Sequence, residues 1–165
     1  MVFYNQGRCM HMSGSYAGTG SGTAVGEAPY DPLTDVMIAI LMDETYAIDI
    51  DAHQVYSDIS ATSFENIGGG VTNYSGRGTA LASKTVTMDQ ANDRAEFDAA
   101  NTTYSTLGNG TNDTFDQVVI AREQDSTPTD GNTLLIAHTA VPATLTNGGN
   151  ITLVWNSEGI LQITT

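Results

Sequence analysis

Three side chains able to bind a metal ion stand at alternate positions within residues 45–60, "TYAIDIDAHQVYSDIS". On an extended strand Asp49, Asp51 and His53 would share one face, and carboxylates with an imidazole are metal ligands. Neighbouring side chains on one strand face are, however, about 6.5–7 Å apart along it, too far for one small ion to bind all three. We predict a solvated strand face here and no bound metal, with Asp58 capping a turn or accepting backbone N–H bonds.

A second set of oxygen donors falls in residues 107–116, "LGNGTNDTFD", with Asn109, Asn112, Asp113 and Asp116. This stretch lacks the spacing and the final bidentate Glu of a helix-loop-helix calcium site. Asn-Gly and Asn-Asp are also ordinary turn dipeptides. We therefore expect a turn without calcium.

The sequence does not contain a recognisable set of catalytic residues. The histidines His11, His53 and His138 have no Ser or Cys in a recognisable nucleophile turn nearby, and the hydrolase, zinc-protease and phosphate-loop motifs are absent from the sequence. The glycines of residues 13–26 do not have the dinucleotide-binding spacing. The sequence predicts neither an enzyme nor a cofactor, although a glycosidase needs only two carboxylates and the chain has many.

The net charge of the chain limits the classes of partner that it can bind. Nineteen acidic residues against five basic ones give a net charge of −14, which opposes binding to nucleic acid. No apolar run approaches the roughly 20 residues of a membrane helix, and no signal-peptide pattern opens the sequence, so we expect a soluble protein without a membrane partner. The single Cys9 excludes an internal disulfide.

A segment rich in Gly, Ser, Thr and Ala precedes the predicted strands. Residues 13–26, "SGSYAGTGSGTAVG", contain too little apolar area to offset the entropy of ordering, so residues 1–32 are predicted to form an extended arm. Its apolar residues, Val2, Phe3, Tyr4 and Tyr16, are candidates for filling grooves on a partner. Deleting the arm is expected to leave the fold of residues 33–165 nearly as stable, because the periodic apolar pattern starts at Val36.

The sequence pattern of residues 33–165 predicts a domain built of β-strands. An apolar run at 36–42 continues into the alternation of 48–53, and further strands are predicted at 79–89, 94–98, 115–123, 133–139, 151–155 and 160–164. Residues 56–59 are expected to form one short helical turn, and Trp155 a buried core anchor. Short strands, frequent turns and no long amphipathic helix predict an all-β, antiparallel sandwich or jelly-roll domain.

A long glycine-containing loop is predicted before the strand at 79–89. "YSGRGTALA", residues 74–82, follows "GGG" at 68–70, and such glycines mark positive φ angles or close backbone approaches. Loops of this length commonly make contacts, which makes Tyr74 and Arg77 candidates for partner binding. Arg77 is one of only five cations, and it is suited to bond a carboxylate, including one of a neighbouring chain.

Several of these stretches, in their order along the chain, resemble a family of small virion proteins of tailed bacteriophages. The resemblance covers residues 36–163 and includes "IAILMDETYAIDIDAHQVYSDI", the 74–105 region, "VVIARE", "LLIAH" and "GGNITLVWNSEGILQI". The matching positions are Asp49, His53, Ser57 and Asp58 in the first stretch, Tyr74, Gly78 and Leu81 in the loop, and Trp155, Asn156, Gly159 and Ile160 near the end. Arg77 replaces one glycine of the family's loop, and Tyr104 stands where a Trp is common.

The resemblance implies a β-rich structural protein of the virion, made in the cytoplasm of the bacterial host, with no catalytic residues. A capsid decoration or cement protein on the capsid exterior is the role we favour, with the phage major capsid protein as partner and a homo-oligomer, by preference a trimer. The alternatives are a tail or head-fibre module that recognises a host surface, or a component of the head–tail connector.

Overall fold

The structure is a computed structural model that describes residues 1–4, 31–123 and 128–164. These residues are mostly β, with antiparallel pairing throughout and no helix beyond single 3-10 turns. The strands are β1 Val2–Phe3, β2 Val36–Asp43, β3 Thr79–Ala80, β4 Thr85–Asp89, β5 Arg94–Asp98, β6 Thr102–Tyr104, β7 Thr114–Glu123, β8 Leu134–Leu145, β9 Ile151–Leu153 and β10 Leu161–Thr164. The 3-10 turns are Tyr56–Asp58, Ser60–Thr62 and Ile67–Gly69. No helix in the described part of the chain is long and apolar enough to cross a membrane.

A five-stranded sheet in the order β1-β8-β7-β2-β3 forms the centre of the fold. Its strand β2 is apolar without alternation because both of its faces are covered. Met37, Ala39 and Leu41 belong to one buried cluster, whereas the alternate residues Ile38 and Ile40 belong to another on the opposite face. The sheet therefore separates two apolar cores.

Different parts of the chain cover the two faces. The first core includes Phe97 and Leu161 from a three-stranded sheet, β10-β5-β4, and Tyr104 and Leu153 from the two-stranded sheet β6-β9. The Tyr104 hydroxyl also donates a hydrogen bond to the Ala39 carbonyl at 2.9 Å, which ties β6 to β2. The second core is closed by aromatic and aliphatic residues outside the central strands: Tyr4, Tyr46, Tyr56 and Ile59.

The expected strand over 48–53 is wrong. β2 ends at Asp43, and the Asp49 carboxylate accepts N–H bonds from Asp51 at 3.0 Å and Ala52 at 2.9 Å. Such local bonds from an Asp side chain stabilise a turn in competition with a strand. The alternation of polar and apolar residues here therefore reflects a turn and does not place Asp49, Asp51 and His53 on one strand face.

Residues 2–4 correct the arm prediction at its first residues. Val2 and Phe3 pair with His138 and Ala137 of β8, and the Tyr4 side chain is fully buried. The Tyr4 backbone N–H donates to Ile136, and its hydroxyl lies 2.6 Å from that of Tyr46. These residues thus contribute to the folded core. The sequence does not predict this, because the residues that follow them are polar and rich in glycine. Tyr16 lies outside the described residues.

Most of the other strand predictions are confirmed, with shifted ends. Residues 94–98 coincide with β5 and residues 115–123 fall within β7. The predicted strand 79–89 is divided into β3 and β4, with Ser83 between them at a φ of 51°. β6 was not predicted, and β8 extends six residues past the predicted 139. The expected helical turn at 56–59 is present as a 3-10 turn over Tyr56–Asp58.

Candidate partner-binding surface

The outer side of β8 is paired along only part of its length. Leu134 forms a bridge with Val55, the Ile136 carbonyl accepts a bond from Tyr4, and His138 pairs with Val2. From residue 139 to 145, no strand that the structure describes pairs with this side of β8. We call residues 139–145 the open edge. An unpaired sheet edge is a template for pairing with another chain, and in this one Pro142 and the register shift beside it limit the main-chain bonds that can form.

A groove of about 840 Å³ runs beside the open edge. One part of its lining comes from β8 between Thr139 and Thr144, and another comes from residues 150–162, which include β9 and the turn before β10. Leu153 and Ile160 are buried within this lining, whereas Val154 is 73 % exposed. The groove therefore combines an apolar base with an accessible rim.

The lining side chains are neutral. No Asp, Glu, His, Lys, Arg or Cys is among the described residues that line the groove, which supply apolar groups, Thr hydroxyls and the amides of Asn150, Asn156 and Gln162. The side chains of the groove thus offer apolar contacts and neutral hydrogen bonds, beside the main-chain groups of the open edge.

Trp155 lies in the groove wall and is not the fully buried anchor that the sequence predicts. Its ring is partly exposed, its indole N–H donates to the Ala100 carbonyl at 3.1 Å, and its backbone N–H donates to Asn101 Oδ1 at 3.1 Å. Trp155 is partly buried and packs against the first core, so the anchor prediction is confirmed in part. Full burial was wrong, because β9 ends at Leu153 and strand alternation does not continue to Trp155.

The sequence contained one signal of the open edge that the strand prediction did not use. Pro142 lies inside β8, and proline within a strand is confined to edges and bulges because it cannot donate to the ladder. The register of β8 on β7 also shifts between Ala140 and Thr144. Pro142 therefore lies in the irregular part of the β7–β8 pairing, within the open edge.

Among the partner-binding candidates within the described residues 1–4, the accessible apolar groups are those of strand β1. Val2 is 45 % exposed, Phe3 packs in part against the first core, and Tyr4 is buried. Burial and the bond to Tyr46 raise the pKa of the Tyr4 hydroxyl far above its usual range. In this structure Tyr4 is held inside the fold and is not presented to a partner.

The loop candidates Tyr74 and Arg77 are bonded within the chain. The Tyr74 hydroxyl donates to the Arg77 carbonyl and accepts from the Leu41 N–H, each at 3.1 Å, while its ring stacks on Tyr104. The Arg77 guanidinium contacts Glu123 and Asp130, each at 3.1 Å. The carboxylates that Arg77 was expected to find on a neighbouring chain are thus supplied by its own chain.

The glycines of this loop have the roles that the sequence predicts. Gly68, Gly69, Gly70 and Gly76 all have positive φ angles. Gly78 has an ordinary φ, but a Cβ placed there would lie 2.4 Å from the Ala39 carbonyl oxygen. The loop therefore passes directly against β2, which places Tyr74 in the core.

The possible metal ligands around His53 make hydrogen bonds within their own loop. His53 Nδ1 accepts the Asp49 N–H at 3.3 Å and lies 3.2 Å from the Tyr46 hydroxyl, and backbone N–H groups lower the pKa of Asp49. Asp58 accepts N–H bonds from residues 54 and 55, which confirms its predicted capping role.

Elsewhere in the described chain, carboxylate oxygens of Asp89, Glu96 and Glu158 converge. Arg94 occupies the centre of this group, with its guanidinium 3.1 Å from Asp89, 2.6 Å from Glu96 and in contact with Glu158. A single arginine therefore contacts all three carboxylates and compensates part of their negative charge.

The open edge and its groove are the described surface best suited to an extended partner, because main-chain groups and apolar side chains lie together there. Comparison of the chain with models of protein families gave no match, and neither the curated proteins nor the solved structures contained a match.

Proposed function

We propose that this chain is a structural protein of a tailed-bacteriophage virion, a decoration or cement protein that binds the major capsid protein on the capsid exterior. The open edge of β8 beside a neutral groove is the observation that supports this role best. The family resemblance of residues 36–163 supplies the virion context, and it is the reason for choosing the capsid protein as the partner.

In this proposal an extended segment of the capsid protein adds to β8 as a further strand. Main-chain bonds to residues 139–145 provide affinity, and pockets for alternate side chains along the groove provide specificity. The exposed side chain of Val154 and the partly exposed ring of Trp155 contact the added segment. Because each contact is weak, repetition over the symmetric capsid multiplies its effect.

A sandwich-like arrangement of the sheets is part of the same proposal. The two small sheets cover one face of the central sheet through Phe97, Leu161 and Tyr104, which supports a sandwich-like arrangement. The net charge of −14 suits an exterior surface that meets a more basic partner. Association as a trimer, with contacts from Val2, Phe3 and Tyr16 in residues 1–32, completes the proposal.

Co-sedimentation with capsids that lack the protein tests this role. Val154→Lys places a charge in the groove at a side chain that is 73 % exposed, so the fold should be retained while binding falls at least ~10-fold. Ile48→Lys, at an exposed loop position away from the groove, is the control and should bind like the unaltered protein. Equal binding of both variants would show that the groove is not the capsid contact.

A second candidate function rests on Trp155. An aromatic ring beside the amides of Asn156 and Gln162 in a neutral groove also suits a sugar, as a tail or head-fibre module would need to recognise a host surface. Binding to host cells or their isolated surface glycans, lost on Trp155→Ala, together with no binding to capsids, would favour this function.

A further inference from the structure

Strand β1 is a short edge element of the central sheet. Its two residues pair with His138 and Ala137, and Tyr4 adds one backbone bond to the Ile136 carbonyl. On the other side of β8, β7 is paired over most of its length. Short elements at the edge of a sheet open at a lower free energy than central strands. Of the two neighbours of β8, β1 is therefore the one that can open locally.

The imidazole of His138 lies on the face of β8 that the Tyr4 ring covers. The two rings meet edge-on, with centroids 5.5 Å apart, and His138 is 8 % exposed. Neither ring nitrogen has a hydrogen-bond partner among the described residues. A neutral imidazole can remain in this position, whereas a protonated one would be an unpaired charge in an apolar environment.

The groups that face this imidazole from the neighbouring strands are uncharged or positive. From β7, Val119 lies opposite His138 and Gln117 lies diagonally on the same face, and both are neutral. From the β1 side, Tyr4 is neutral because burial raises the pKa of its hydroxyl, and the ammonium group of Met1 opposes a second positive charge. β8 itself contains no other ionisable side chain. A proton on His138 would thus have no counter-charge on these strands.

A second histidine lies further along the same aromatic contacts. The Tyr4 hydroxyl is 2.6 Å from that of Tyr46, which lies 3.2 Å from His53 Nδ1, and the rings of Tyr46 and His53 are stacked. The charges of Asp49 and Asp58 also act on Tyr46. His53 is only half-buried, so water can reach it without displacement of β1. It therefore provides a control for effects of acid that arise outside β8.

We infer that residues 1–4 form a pH-sensitive latch on β8, which opens when His138 is protonated in mild acid. Opening brings the charged imidazole into water and frees the outer side of residues 136–138, so that the unpaired side of β8 extends from 136 to 145. Because Met1 lines the groove, opening also removes part of the groove wall. The latch is a contact within one chain and does not depend on the proposed capsid role.

The open and closed forms bind a proton at His138 with different affinities. In the open form the imidazole has its ordinary pKa of 6.5, whereas burial in the closed form lowers the pKa of His138. Acid therefore favours the open form as the pH falls through about 6.5, until the pKa of the closed form is reached. Between pH 7.5 and 5.5 the ratio of open to closed molecules should rise by up to about tenfold.

Amide exchange of the full chain, followed by NMR at pH 7.5, 6.5 and 5.5, measures this opening. The Tyr4 N–H is bonded to the Ile136 carbonyl while the latch is closed. Its protection factor, taken relative to the intrinsic exchange rate at each pH, should fall by up to about tenfold from pH 7.5 to 5.5. Amides of β7, which is paired on both sides, should stay more strongly protected at every pH. Exchange of the Tyr4 N–H at the rate of the β7 amides would mean that β1 opens only with the whole fold, which would overturn the inference.

Two matched variants identify the group that titrates. His138→Gln keeps a neutral polar side chain and should remove the pH dependence of Tyr4 protection, whereas His53→Gln is the control and should retain it. NMR titration of the His138 ring in the unaltered protein does not depend on how a variant folds, and it should give a pKa below 6.5. A pKa of 6.5 or above, a pH dependence that persists in His138→Gln, or one that is lost in His53→Gln would overturn the inference.

Discussion

At the scale of single residues, the buried imidazole of His138 has the clearest consequence for stability. It is 8 % exposed and lies edge-on to Tyr4, with ring centroids 5.5 Å apart. Neither ring nitrogen has a hydrogen-bond partner among the described residues. Burial lowers the pKa of His138 below its ordinary value of 6.5, so the folded protein holds this ring neutral.

This pKa shift predicts a loss of stability in mild acid. As the pH falls through about 6.5, the unfolded chain takes up a proton at His138 that the folded chain still excludes, so the free energy of unfolding decreases until the folded pKa is passed. His138→Gln removes the titrating group. Denaturant unfolding at pH 7.5, 6.5 and 5.5 should show a larger loss for the unaltered protein than for this variant, and parallel losses would contradict the prediction.

Tyr4 shows why residue-level interpretation of the first residues failed. A tyrosine beside a glycine-rich segment looks like a contact residue for a partner, since nothing local indicates a core position. Its burial depends on β8 and on Tyr46, which are distant in the sequence. Trp155 is the reverse case, an apparent core residue that lines a groove. Both errors arise from tertiary contacts that periodicity does not contain.

At the scale of elements, β1 is short but stabilising. Tyr4→Ala should lower the free energy of unfolding by about 3–5 kcal/mol, the usual effect of removing a large buried ring. Tyr4→Phe keeps the ring and loses only the hydroxyl contact with Tyr46, which is expected to cost about 1 kcal/mol. Urea unfolding measures both, and a Tyr4→Ala variant as stable as the unaltered chain would show that residues 2–4 are not part of the fold in solution.

The elements that could be predicted from the sequence are those with a strong local signal. The run at 36–42 was found because its apolar and β-branched residues form a continuous stretch, and the strand at 94–98 because Ala95 and Phe97 alternate with charged residues after a turn. The false strand at 48–53 had the same alternation, but Asp49 bonds two backbone N–H groups and forms a turn. The extension of β8 past residue 139 was missed because Pro142 interrupts the pattern.

At the scale of the whole molecule, each of the three described sheets has unpaired strand edges, among them the open edge of β8 and the outer side of β4. The first lies in a neutral groove and the second beside exposed apolar side chains. Edges of this kind favour association with other chains. Apart from Pro142 in β8, no sequence signal locates such edges, because an edge is defined by the strands that do not pair with it.

Hydrogen exchange on the protein alone and bound to capsids tests the central claim most directly. Main-chain pairing with the capsid protein should slow amide exchange within residues 139–145, because N–H groups of the open edge become bonded. Exchange in the 44–53 loop, away from the groove, should stay the same. The proposal predicts protection at the open edge in the bound state, whereas bound protein with unchanged exchange at 139–145 would contradict it.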